Sequence, residues 1–215
     1  MRHQPHVFVP TPWDRGTLSV PDRSRSHLLK VLRYQPGSPI TYTDGTGTFG
    51  SGIWTGNDID RGEEIQIGRP SQLSLAVAPP KQKERQRFVV EKSQELGVSA
   101  LLWLDTDYGE GRAPSDSRVR AWTIGALEQS RGAWCMDVSG PVPVADLTDP
   151  VACDAGGGDI AAVVEAAGTV AVGPEGGWSD AERAGFSTTV SLGPTVLRTE
   201  TAAIAAASVL LHAGR

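Results

Sequence analysis

Val170-Ala-Val-Gly-Pro-Glu-Gly-Gly-Trp-Ser-Asp-Ala-Glu182 decides how the C-terminal part of the chain folds. A short β-branched run ends in a turn with three glycines, and a helix start follows at once. Glycine visits φ > 0 freely and lets another molecule come close to the backbone. The turn is either a ligand site or a corner that needs glycine for its geometry alone, and the stretch by itself leaves both readings open. Ser179 to Glu182 has the Ser-x-x-Glu spacing of a capping box, which makes Ser179 a helix cap rather than a nucleophile. No Gly-x-Ser-x-Gly elbow surrounds it, and no histidine stands nearby to act as base. The turn also lacks the Gly-Lys-Ser/Thr of a phosphate loop and the Gly-x-Gly-x-x-Gly of a dinucleotide fold. A kinase, a serine hydrolase and an ordinary dinucleotide enzyme therefore lose ground.

Towards the C-terminus a second stretch, Ser191-Leu-Gly-Pro-Thr-Val-Leu-Arg-Thr-Glu-Thr-Ala-Ala203, leads from a strand end through a Gly-Pro turn into a last helix that Thr199 can cap. Val196 and Leu197 read as buried, which places Arg198 at a cleft rim with Glu200 beside it. An exposed ion pair of little consequence is the plainer reading of those two. Two glycine turns on strand ends of one parallel sheet face the same edge, however, and α/β folds bind ligands there.

Residues 6–9, 17–20, 40–43, 48–55 and 63–67 read as short strands, with a turn at Asp44-Gly-Thr-Gly47. Ser24–Arg33 reads as a helix with Leu28, Leu29, Val31 and Leu32 on one apolar face. This predicts a small β-barrel domain over residues 1–70. From residue 71 to 215 strands alternate with helices, which predicts a mostly parallel α/β sheet. Its strands are 73–78, 100–104, 160–164, 169–172 and 189–192. Its helices are 84–96, closed by Gly97, then 115–130, one from Asp180, and 200–212. Residues 132–158 read as loops around one short strand.

The chain has 215 residues and a net charge of −5, which at first argues against a nucleic-acid partner. Charge is unevenly spread: Lys81–Lys92 holds Lys81, Lys83, Arg85, Arg87 and Lys92 against Glu84 and Glu91. Such a patch is either a solvated helix face or a phosphate-binding surface, since screening confines distant charges to roughly 8–10 Å. Cys135 and Cys153 lack CxxC spacing and suit a reducing cytoplasm, and the scattered His3, His6, His27 and His212 predict no metal site. No signal peptide and no bilayer-spanning run is expected.

With both stretches in view, the chain resembles the RsmE-type family of ribosomal RNA methyltransferases, in the SPOUT (trefoil-knot) superfamily. Glu91-Lys-Ser-Gln-Glu-Leu-Gly-Val98, Val172-Gly-Pro-Glu-Gly-Gly-Trp-Ser179 and Leu192-Gly-Pro-Thr-Val-Leu-Arg-Thr-Glu-Thr-Ala202 carry the match. Glu128-Gln-Ser-Arg131, His27–Arg33 and Asp44–Gly47 add to it. The resemblance implies a PUA-like β-barrel that holds RNA, followed by a SPOUT-type α/β methyltransferase domain with a trefoil knot at its C-terminal end. It further implies S-adenosylmethionine as cofactor, a homodimer, and N3 of a uridine in 16S ribosomal RNA as target. A related enzyme with another RNA target, or an RNA binder without methyl transfer, is the alternative. Cofactor contacts then fall on Val172, Gly173, Pro174, Glu175, Gly176, Gly177, Leu192, Gly193, Val196, Leu197, Arg198, Thr201 and Ala202. Arg198, Glu200 and Glu175 are the catalytic candidates. RNA contacts are expected from Arg25, His27, Arg33, Lys81, Lys83, Arg85, Arg87 and Arg131. The chain departs from the family at Thr195, where many relatives have arginine, and in Asp105–Ala113 and Gly132–Asp137. All three changes remove positive charge.

Overall fold

In a computed structural model, residues 4–13, 16–163 and 168–212 are described. The chain divides into two compact units, Met1–Arg69 with Ile124–Cys135, and Pro70–Thr123 with Met136–Arg215.

The first unit holds strands β1 (His6–Phe8), β2 (Thr17–Ser19), β3 (Pro39–Thr43), β4 (Thr48–Trp54) and β5 (Asp58–Gln66). They form one curled mixed sheet, a half-barrel, in the order β1-β3-β4-β5-β2, with β1 parallel to β3 and the other pairs antiparallel. Its core gathers Val7, Leu18, Leu28, Ile40, Tyr42, Trp54 and Ile59. Between β2 and β3, helix α1 (Asp22–Ser26) runs into a π-helical turn, His27–Val31. The expected four-residue apolar face is not realised there. The turn buries Leu28 but leaves Leu29, Val31 and Leu32 exposed, Val31 at 66%. The added residue per turn rotates the side chains that follow it away from the core.

The second unit is built on six parallel strands. They are β6 (Ser74–Val77), β7 (Ala100–Asp105), β8 (Asp137–Pro143), β9 (Val151–Asp159), β10 (Thr169–Val172) and β11 (Thr188–Ser191). Helices α2 (Lys83–Leu96), α3 (Asp116–Ser130), α4 (Asp180–Ala184) and α5 (Thr199–His212) connect or follow them. Beyond Thr123, α3 belongs to the first unit. The sheet order is β11-β9-β10-β6-β7-β8. Leu75, Ala76 and Val77, like Val170, Ala171 and Val172, are buried throughout, as in a sheet covered on both faces. α2 and α5 pack together, and Ala202, Ala203, Ala206 and Ala207 on α5 are buried.

Residues 132–158 hold two strands where one was expected. Pro141 and Pro143 fit β8 because it lies at the sheet edge, where a lost N–H costs no ladder bond. β9 takes in Gly156, Gly157 and Gly158, and its register against β11 shifts there, so that Ala152 and Gly158 are successive partners of Thr189 and Val190. A Cβ at Gly157 would stand 2.5 Å from the Val190 nitrogen of β11, so glycine there serves close backbone approach, not a loop. Ile160–Val163 is a 3-10 turn rather than a strand, and Val164 lies outside the described residues.

In the first unit, buried His6 bonds through Nε2–H to the Gly132 carbonyl (3.0 Å), and its Nδ1 lies 2.9 Å from Thr41 Oγ1. Burial first, then Arg131, lowers its pKa to about 4, against a carbonyl bond that raises it. The folded pKa lies below the unfolded one, so this contribution is complete above about 6.5 and falls away as pH drops towards 4. Urea unfolding from pH 7 to pH 4 is expected to show about 3 kcal/mol lost through this group. A His6→Gln variant lacks that part of the slope.

Candidate active site

The loops that follow β6, β7, β10 and β11 share the carboxyl edge of the parallel sheet, and named bonds join them. Gln86, buried on α2, donates through Nε2 to Pro80 O (2.6 Å) and Arg112 O (2.9 Å), tying the β6 loop to the β7 loop. Lys81 and Glu110 form an ion pair across the same two loops. The β7 loop is bonded in turn to the start of α4. Ser179 Oγ donates to Asp107 Oδ2 (2.5 Å), and Asp107 N donates to Glu182 Oε1 (3.0 Å). The expected capping box is present, with Glu182 N on Ser179 Oγ and Ser179 N on Glu182 Oε2. Ser179 is therefore engaged as a cap.

Thr199 joins the two glycine loops. It is not the cap expected of it, because the Arg198 carbonyl accepts the first helical bond from Ala202 N (2.8 Å). The Thr199 hydroxyl instead donates to Gly173 O across the loops (3.0 Å). Arg85 completes the closure. Its Nη1 is 2.7 Å from Glu175 Oε1, and its Nε is 3.4 Å from Glu200 Oε1. Glu200 is buried, and its Oε2 has no hydrogen-bond partner among the described residues. A carboxylate oxygen kept from water without a donor points to a group that arrives with the ligand.

Two cavities flank Val196 and Leu197. One, of about 120 Å³, is lined by Cys153, Asp154, Leu192, Gly193 and Ala202. The other, of about 430 Å³, is lined by Lys81, Gln82, Arg85, Glu175 and Arg198. The Thr195–Leu197 backbone makes no hydrogen bond among the described residues, so its groups are available to a ligand. In the other loop the Val172, Gly173 and Pro174 carbonyls already accept from Ala78 N, Thr199 Oγ1 and Gly177 N. The loop that leads into α5 therefore has more backbone free for reading a ligand. Gly177 (φ 75°) and Gly193 (φ 130°) hold turns that favour glycine. Thr201 is exposed and Gly176 abuts Tyr108. Burial pushes the Cys153 thiol up to about 12, so it is no nucleophile.

Val196 departs from expectation: it is 91% exposed, not buried. The open Gly-Pro turn carries it outward, and only Leu197 packs on the core. Arg198 is exposed at the larger cavity without an ion pair among the described residues.

The basic patch on α2 is mostly neutralised within the unit. Lys81 faces Glu110, Arg85 faces Glu175 and Glu200, and Arg87 faces Glu91 at 2.8 Å. Among the described residues, Lys83 alone of those four has no acidic partner. In the first unit Arg25 pairs with Asp22 and bonds Asn57 (3.1 Å), while His27 and Arg33 are exposed. Arg131 Nη2 lies 3.5 Å from Gln4 Oε1. Sequence reasoning missed Gln86, Asp107 and Glu110, whose roles are set by partners distant along the chain.

The sequence model of the RNA methyltransferase domain family matches residues 68–211. A ribosomal RNA small subunit methyltransferase E from Synechocystis is 28% identical over 91% of this chain and 73% of its own. One of the same name from Mycobacterium bovis is 29% identical over 93% of this chain and 88% of its own. The crystal structure of ribosomal RNA small subunit methyltransferase E from Neisseria gonorrhoeae bound to S-adenosyl methionine superposes with a TM-score of 0.81. It is 26% identical and each chain covers 97% of the other.

Replacing Arg85 by alanine leaves Glu200 buried and uncompensated, with an expected loss of about 3 kcal/mol in urea unfolding. The double variant Arg85→Ala/Glu200→Gln should recover most of it, since the amide carries no charge. An equal loss in both proteins would show that the guanidinium does not serve Glu200.

Proposed function

The chain belongs to the RNA methyltransferase domain family, and we propose that it is an S-adenosylmethionine-dependent methyltransferase acting on N3 of a uridine in 16S ribosomal RNA. The observation that carries this reading is the buried Glu200 carboxylate. One of its oxygens lies near Arg85 and the other is unpartnered among the described residues, two positions along from exposed Arg198.

The residues present fit the cofactor. The unbonded Thr195–Leu197 backbone can read the edges of an adenine, and Leu192, Gly193 and Ala202 line the adjoining cavity. When bound, S-adenosylmethionine supplies an activated methyl group on a sulfonium. The protein's share is to position and to polarise. Uridine N3 bears a proton that must leave before the nitrogen is nucleophilic, and Glu200 Oε2 is an acceptor with no competing donor. Arg85 keeps Glu200 oriented through its other oxygen. Arg198, unpaired and exposed, offsets the negative charge that develops on the uracil oxygens as the proton leaves. Glu175, mostly exposed on the far side of Arg85, orients that guanidinium and is a weaker candidate for the proton. N3 lies on the Watson–Crick edge, so the base must be unpaired when it enters.

The same reading takes the first unit as a PUA-like RNA-holding domain, the α5 end as a trefoil knot, and two copies as the working form. The curled sheet of the first unit supports the first of these. Thr199 held to Gly173 brings the start of α5 against the earlier loop as a knot requires, and the exposed Val196 supports the last. The enzyme would act in the cytoplasm; among the described residues no helix is long and apolar enough to cross a membrane.

Glu200→Gln is expected to lower turnover about a hundredfold or more, and Arg198→Ala similarly, with S-adenosylmethionine binding retained in calorimetry. Near-normal turnover in both removes them from the mechanism. Mass-spectrometric mapping of 16S ribosomal RNA from cells lacking the gene should show one N3-methyluridine missing. An unchanged map, with another RNA position losing its methyl, would move the target elsewhere.

A further inference from the structure

A cleft of about 640 Å³ lies within the first unit, and none of the residues assigned to the cofactor lines it. One wall is the face of α3 bearing Gly125, Glu128 and Gln129, whose spacing sets them on one side of the helix. The opposite wall is α1 with the π-helical turn. It supplies Arg23, His27 and Lys30, none of them in an ion pair among the described residues, and the apolar Leu28, Val31 and Leu32.

Two features of the α3 wall have no structural explanation within the fold. Gly125 stands inside a helix, where alanine would be better by roughly 1 kcal/mol. A Cβ added there meets nothing within 4 Å, so no neighbour demands glycine. Glycine at this point keeps the cleft open. Glu128 is the one carboxylate in the lining. Its Oε1 accepts from Phe8 N and Ser24 Oγ, both at 3.0 Å, which fixes the group in place. Its Oε2 takes no hydrogen bond among the described residues and keeps both lone pairs for a ligand.

We propose that this cleft binds one unpaired guanine of a single-stranded RNA segment, an inference that rests on the reading of the chain as an RNA methyltransferase. The cleft has the volume of a small-ligand site. Val31 and Leu32 offer an exposed apolar face against which a base lies. Arg23, His27 and Lys30 take the flanking phosphates, which position without reading sequence. Glu128 does the reading. Guanine alone among the four RNA bases sets two N–H donors, N1–H and N2–H, side by side on its Watson–Crick edge. Adenine, cytosine and uracil each place a lone pair next to their donor, and a carboxylate repels it. His27 keeps the RNA-contacting role read from sequence, while Arg23 and Lys30, and not Arg25 or Arg33, complete the basic rim.

The test is fluorescence anisotropy of the full chain with a short labelled oligouridylate carrying one central guanosine, adenosine or inosine. Guanosine should bind about tenfold more tightly than adenosine, with inosine, which lacks the N2 amino group, between them. Glu128→Gln should abolish the preference for guanosine. Gly125→Leu should bring guanosine to the adenosine level without lowering the melting temperature. Should that variant not fold, Lys30→Ala on the exposed rim should weaken all three ligands equally. Equal binding of guanosine and adenosine by the unmodified protein overturns the proposal, as does a preference that survives both α3 substitutions. Calorimetry with S-adenosylmethionine on the same sample separates the two readings. Cofactor binding without guanosine preference removes only the cleft assignment. Guanosine preference without cofactor binding removes only the methyl-transfer reading.

Discussion

Arg85 is the constraint on which the candidate site depends. Its guanidinium lies between Glu175 from the loop after β10 and Glu200 from the first turn of α5. The outer contact is exposed and by itself stabilises little. The inner one is different, because Glu200 is buried and a buried carboxylate is tolerable only beside a charge that compensates it. Arg85 thus offsets the charge of a buried acid whose second oxygen has no hydrogen-bond partner among the described residues. The same side chain ties α2, the β10 loop and α5 into one wall.

The other bonds at the sheet edge repeat that logic with neutral groups. Gln86 joins the loops after β6 and β7, Ser179 and Glu182 join the β7 loop to α4, and Thr199 joins the β10 loop to α5. Four loops that would each be mobile alone are held before any ligand arrives. Catalysis by positioning requires this, since a geometry assembled during the reaction would consume binding energy.

What could be read from the sequence divides by distance along the chain. The two glycine stretches, the capping box and the closing Gly97 are local, so their residues announce them. The partners of Arg85 are 90 and more residues away, and nothing near Arg85 distinguishes a clamp from a phosphate contact. β9 reads as a loop in the sequence because of its three glycines, of which the nearness of Val190 explains Gly157. Val196 was misjudged by its chemistry: apolar character predicts burial, and the open turn that carries it outward leaves it exposed. The resemblance of the whole chain to a known family points to the glycine loops as the site. It did not show that most of the α2 basic patch is already paired.

That pairing has a consequence for discrimination. A surface of free lysines and arginines attracts any polyanion, and the encounter alone can trap it. Along Lys81–Lys92 an incoming phosphate must compete with Glu110, Glu91, Glu95, Glu175 or Glu200 for each cation but Lys83. Exposed partners such as Glu110 and Glu175 yield readily, whereas the buried Glu200 does not. On the proposed reading, charge alone is then too little to hold an RNA on this surface, and an exposed base must add to it.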